Sequence, residues 1–124
     1  MRQVLITKVH DAPTRPLSQN RGLAYRLADP EVCGTEHLDV HLNELLPDTP
    51  AGPLHYHDRS ENFILVLDGV VEIMAEDQFY ILERDSVAFL APGIRHFVRN
   101  AGATVARLLE VYAPPGPDFH IVRS

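Results

Sequence analysis

Turn punctuation is the feature that most restricts the fold of this chain. Ten prolines and seven glycines cut it into short apolar runs, and no segment of ten or more residues carries helical apolar spacing. Residues 3–9 form a β-rich run, followed by a turn-like stretch at 11–22 with Pro13, Pro16, Ser18 and Asn20. Residues 23–27 read as a strand ending at Asp29-Pro30. Along residues 37–45, Leu38, Val40 and Leu42 alternate with His37, Asp39, His41 and Asn43, and period two means a strand. A proline-rich loop at 46–53 leads to a short strand at 54–57, a polar turn at 58–61 and an apolar run at 63–67 closed by Asp68-Gly69. Residues 70–75 pair with 79–82 across Glu76-Asp77. Strands at 86–90, 96–99 and 104–112 follow, the first stopped by Ala91-Pro92-Gly93. This succession predicts an all-β sandwich or closed barrel.

Length and charge narrow the function classes. A chain of 124 residues has room for one core, so residues 1–124 are expected to form a single domain. No apolar run approaches the roughly 20 residues of a membrane helix, and the apolar run within residues 1–7 is too brief for a secretory signal. The lone Cys33 cannot form an internal disulfide, which fits a reducing cytoplasm. A net charge of −6 and the absence of a DNA-binding helix pattern argue against a nucleic-acid partner.

Histidines carry the chemistry. His55 and His57 stand two apart in a predicted strand, so their imidazoles project from one face about 7 Å apart. Glu61 and Asn62 follow after the polar turn, and His96 comes just beyond Pro92-Gly93. Three imidazoles and one oxygen suit one divalent metal ion: Fe, Mn, Zn, Ni or Cu. His37, Asp39 and His41 alternate equally well and read as a solvent face or a dimer contact. His10 and His120, near the termini, carry no signal. Glu110 and Arg107 differ in parity, so one of them points inward. Arg59 reads as a solvated turn residue, and Tyr56, Phe63, Leu65, Met74, Phe89 and Tyr112 are candidate cavity walls.

Residues 52–69 resemble the first motif of the cupin family: H-x-H at 55 and 57, a glutamate three or four residues on, and a glycine six residues beyond it. Residues 85–100 resemble the second motif, G-x5-P-x-G-x2-H-x3-N, ending on His96 and Asn100. Asp85 stands where the motif has glycine, Ser86 where it often has aspartate and Ala91 where it has proline; these positions shape turns. The resemblance implies a double-stranded β-helix, or jelly-roll, barrel with one metal ion held by His55, His57, His96 and a fourth ligand. Counting back from Gly69 places that ligand at Asn62, and counting forward from His57 places it at Glu61. An unbound Glu61 beside the metal would be a general base.

The flanking segments are similar to small quercetin dioxygenase-type cupins. The resemblance therefore implies a homodimer acting on a small organic molecule, with metal-dependent dioxygenation as the first expected activity. The alternatives are a non-redox isomerase, epimerase or polyketide-cyclase-like enzyme, and a non-catalytic binding module.

Overall fold

The computed structural model describes residues 4–123. Its strands are β1 (Thr14–Pro16), β2 (Gly22–Ala28), β3 (Asp39–Leu45), β4 (His55–Tyr56), β5 (Glu61–Asp68), β6 (Val71–Ala75), β7 (Gln78–Leu82), β8 (Val87–Leu90), β9 (His96–Asn100), β10 (Ala106–Ala113) and β11 (His120–Ile121). They form a six-stranded sheet, β1-β2-β3-β10-β5-β8, and a five-stranded sheet, β11-β4-β9-β6-β7, with antiparallel pairing throughout. This is the jelly-roll barrel that the turn spacing and the motifs predict.

Alternation builds the core. Ile64 and Val66 of β5 point inward to meet Val71 and Ile73 of β6, with Leu45, Leu82, Leu90, Ala106 and Leu108 closing around them. The β6–β7 hairpin turns through Glu76 and Asp77, both at positive φ (48° and 66°), the backbone of a two-residue hairpin whose twist matches the flanking strands. Asn100 ends β9 and ties neighbouring segments together. Its Nδ2 donates to the carbonyls of Leu45 and Thr104, each at 2.8 Å, while its Oδ1 accepts from Gly102 N.

Three predicted features differ. Residues 4–8 form no strand and lead into a 3-10 turn at Val9–Asp11, while residue 3 of the expected run lies outside the described residues. Among the described residues no strand pairs with this segment, and Val4 and Ile6 stay 81% and 90% exposed. The turn-like stretch at 11–22 contains β1, whose Pro16 is tolerated because β1 is an edge strand. The Asp29-Pro30 breaker opens a one-turn helix, α1 (Pro30–Cys33), in which Asp29 Oδ1 accepts from Val32 N at 2.7 Å and Gly34 closes in the left-handed region. Among the described residues no helix is long and apolar enough to cross a membrane.

Candidate metal centre

His55 begins β4, His57 follows its end, and His96 begins β9. Because His55 and His96 are cross-strand partners, strand pairing alone brings the two motifs together. One ring nitrogen from each of the three histidines lies within 4.8 Å of those of the other two. The Nδ1 atoms are all engaged by backbone carbonyls: His55 with Pro53 O at 2.8 Å, His96 with Ile94 O at 2.9 Å, and His57 with Asp118 O. A carbonyl only accepts, so each Nδ1 carries the proton and each Nε2 keeps its lone pair.

Two observations test whether a metal suits this set. His57 Nε2 is buried and has no hydrogen-bond partner, and an unmatched buried acceptor is costly unless something fills its lone pair. Burial, then the neighbouring His96, holds the His55 imidazole at about 4, and burial likewise lowers His96. Both rings are therefore neutral at physiological pH, the form that ligates metal. The residues fit a divalent ion.

Sheet parity separates the two candidates for the fourth position. Asn62, 1% exposed, faces the interior, whereas Glu61 lies with Phe63 on the exposed face of β5. The structure does not bring Glu61, expected as ligand and general base, to the three imidazoles: successive strand residues point to opposite faces, and the register of β5 on β10 sets Asn62 beside Tyr112. Tyr112 in turn packs its ring edge-on to His57 at 5.2 Å. Both amide atoms of Asn62 are buried and make no hydrogen bond of normal geometry, although the side chain lies near enough to Glu110 to help hold it ionised.

The three histidines open onto a cavity of about 480 Å³ between the sheets. The facing wall belongs to β3 and β10, where His41 and Glu110 are direct cross-strand partners. His41 Nε2 lies 3.7 Å from Glu110 Oε2, and its Nδ1 lies 3.5 Å from Asp39 Oδ1. Asn43 Nδ2 also donates to Glu110 Oε2, and Tyr112 OH donates to Oε1 at 3.4 Å. Burial alone would lower His41, but the hydrogen bonds and charges of Asp39 and Glu110 raise it to about 9. Burial alone would raise Glu110, yet contact with His41 holds it below the usual carboxylate range. The pair is an imidazolium and a carboxylate at neutral pH.

Asp39 and His41 thus line the cavity, where alternation suggested a solvent face or a dimer contact; His37 of that set stays on the surface. Of the candidate wall residues only Tyr112 lines the cavity; Phe63 and Phe89 face outward at 36% and 57% exposure. Arg107 pairs with Glu44 outside the cavity, which leaves Glu110 as the inward member of that pair. Arg59 is an exposed turn residue that also donates to Gly116 O at 2.8 Å.

Nothing local in the sequence marks the segment that closes the site. Asp118, besides accepting from His57, caps the N–H groups of Asp58 and Arg59, while Phe119 stacks on His55 at 4.1 Å. Those Asp58 and Arg59 N–H groups hold the Asp118 carboxyl down at about 2. His120 binds Asp118 and stacks on Tyr56. The prolines and glycine of residues 114–117 give this segment the look of a trailing loop.

A two-sheet antiparallel barrel with three convergent imidazoles defines a β-barrel protein with a pocket that could hold a metal ion. Residues 41–112 match the family model of the cupin domain, and the chain belongs to that family. It is 30% identical over 63 residues to the tetracenomycin polyketide synthase protein TcmJ of Streptomyces glaucescens, a match covering 51% of this chain and 42% of TcmJ. The chain thus matches less than half the length of that relative. The polyketide cyclase RemF of Streptomyces resistomycificus superposes with a TM-score of 0.84 at 18% identity, covering 98% of this chain and 87% of RemF. A sugar phosphate isomerase of the cupin superfamily from Silicibacter pomeroyi superposes at 0.81 and 16% identity, covering 97% and 83%. At these identities the two structures share the fold.

Proposed function

We propose that this cupin is a metal-dependent enzyme that rearranges a small enolisable molecule without net redox change, as a cyclase or isomerase does. One observation carries the reading: a single cavity places three imidazole lone pairs on one sheet opposite a buried imidazolium–carboxylate pair on the other. The names of TcmJ, RemF and the sugar phosphate isomerase support it.

His55, His57 and His96 would hold the ion, with the inward-facing Asn62 as the proposed fourth ligand. A bound divalent ion supplies Lewis acidity toward a carbonyl oxygen. Glu110, ionised and lining the cavity, accepts a proton from the carbon beside that carbonyl, and His41 Nε2–H returns one. Asp39, less buried than either, connects His41 to the mouth of the cavity. Leu45, Val98 and Leu108 provide apolar wall.

The competing reading is a dioxygenase, which the same neutral three-nitrogen set would serve with iron or copper. Metal analysis of protein without a polyhistidine tag, combined with two assays on the holoprotein, separates them. Deuterium uptake into acetylacetone in D2O, lost in Glu110→Gln, supports proton transfer. Oxygen consumption with an enolic or phenolic probe and no deuterium uptake would replace it with the dioxygenase. A protein that neither holds nor takes up metal would make the domain a binding module. We further propose a cytoplasmic homodimer, supported by the exposed Val4 and Ile6 and the lone Cys33. A monomeric mass by light scattering, or an extracytoplasmic fraction, would overturn those two points.

A further inference from the structure

The three histidines and the His41–Glu110 pair leave two residues of the same cavity unexplained, Arg15 and Arg21. Arg15 sits on β1, and Arg21 follows the second 3-10 turn, Ser18–Asn20, just before β2. We propose that Arg15 and Arg21 bind the anionic end of the ligand, making the substrate an organic oxyanion with a carboxylate or phosphate group. This deepens the enzymatic reading and rests on it for the word substrate, but the anion site stands on its own observations.

The first observation is that these two cavity arginines carry no acidic partner; the other described arginines without one, Arg84, Arg95 and Arg123, are exposed and lie outside the cavity. Arg26, Arg59, Arg99 and Arg107 each pair with an acidic side chain within 4.0 Å. Among the described residues neither Arg15 nor Arg21 does, although Asp39 and Glu110 line the same cavity. Those two carboxylates make their direct ionic contacts with His41. Arg21 is half-buried without a direct ion pair, and burial lowers it from its usual value, a cost that the charge of Glu110 offsets only in part. An anion from solvent would offset that cost.

The second observation is how Arg21 is held. Its Nε donates to Ser18 O at 3.0 Å and its Nη2 to Ser18 Oγ at 3.2 Å. The guanidinium then lies against Gly52, where an added Cβ would come within 2.8 Å of Nη1. The residue is oriented before any ligand arrives, and a planar fork of donors suits carboxylate or phosphate. The third is the setting: in a chain of net charge −6, the cavity holds Arg15, Arg21 and the His41 imidazolium against Asp39 and Glu110, a net positive lining to which a bound divalent ion would add. Such a lining attracts an oppositely charged small molecule.

Calorimetric titration of succinate and of glycerol 1-phosphate tests the inference at low salt, on zinc-loaded and on chelator-treated protein. Tighter binding of either probe supports it and names the preferred group. Arg15→Ala should weaken the preferred probe at least fivefold and Arg21→Gln at least tenfold, while Arg84→Ala, an exposed arginine outside the cavity, leaves it unchanged. Arg15 is exposed, so its variant keeps the test valid even if Arg21→Gln loosens the turn. Wild-type protein that binds neither probe at millimolar concentration, or both cavity variants within twofold of wild type, would overturn the anion site. Failure of the metal reading shows separately: zinc would be absent, while the arginine dependence would persist in the chelator-treated protein.

Discussion

His55 and His96 face each other in register across β4 and β9, with ring centroids 4.2 Å apart, and each donates Nδ1–H to the carbonyl two residues before it. The two motifs thus contribute equivalent local units, a turn followed by a histidine that its own backbone orients. His57 differs in relying on Asp118 from a distant segment. His57→Ala is expected to lower bound metal well below one equivalent while the barrel stays folded, read by elemental analysis beside circular dichroism. Unchanged metal content in that variant would sink the site.

Stability of the metal-free protein should fall on both sides of about pH 6.5. His41, raised to about 9 in the fold from an ordinary 6.5, stabilises fully below pH 6.5, and this is lost as pH climbs through 9. His55, lowered to about 4, works the other way: its contribution is present above pH 6.5 and lost as pH falls toward 4. Displacing a pKa by one costs or contributes about 1.4 kcal/mol, so each arm is on the order of 3 kcal/mol. Urea unfolding from pH 4 to 9.5 checks this, and His41→Gln should flatten the alkaline arm.

Asn62 offers a test with opposite outcomes for stability and binding. Its buried amide makes no hydrogen bond of normal geometry, and an unsatisfied group of this kind costs about 1–3 kcal/mol. Asn62→Leu should therefore raise the unfolding midpoint of the chelator-treated protein and weaken metal binding severalfold. A lower midpoint would mean that the amide is already satisfied in the native state.

Three glycines should respond in a fixed order to alanine. At Gly22, with φ at +149°, a Cβ would fall 1.8 Å from Glu44 O, so Gly22→Ala is expected not to fold. At Gly69 the new atom would sit 2.8 Å from Ala106 Cα, forcing backbone to shift. At Gly93 it would meet nothing within 4 Å, leaving only the strain of positive φ, about 1–2 kcal/mol. Denaturant midpoints of the Gly69 and Gly93 variants, with soluble yield for Gly22, give the ranking.

Most strands of the barrel were legible because period two and turn residues are local signals. The short β1 and β11 were not: each is two or three residues long and is held by its neighbour rather than by its own pattern. The three metal-site histidines were legible for the same local reason. Arg15, Arg21 and Phe119 were not, since nothing in their own neighbourhoods marks them as cavity residues.

The amino-acid sequence by itself determined the strand periodicity, the turn positions and the pairing of two histidine-bearing motifs, because each depends on residues a few positions apart. It also required that one of Glu61 and Asn62, and one of Arg107 and Glu110, face inward. Only the tertiary structure chose between them, through the register of β5 and β3 on β10. Asn43 and Glu110 meet in the cavity across 67 positions of sequence. No local rule spans that distance; only sheet closure, driven by burying the apolar face, brings such residues together.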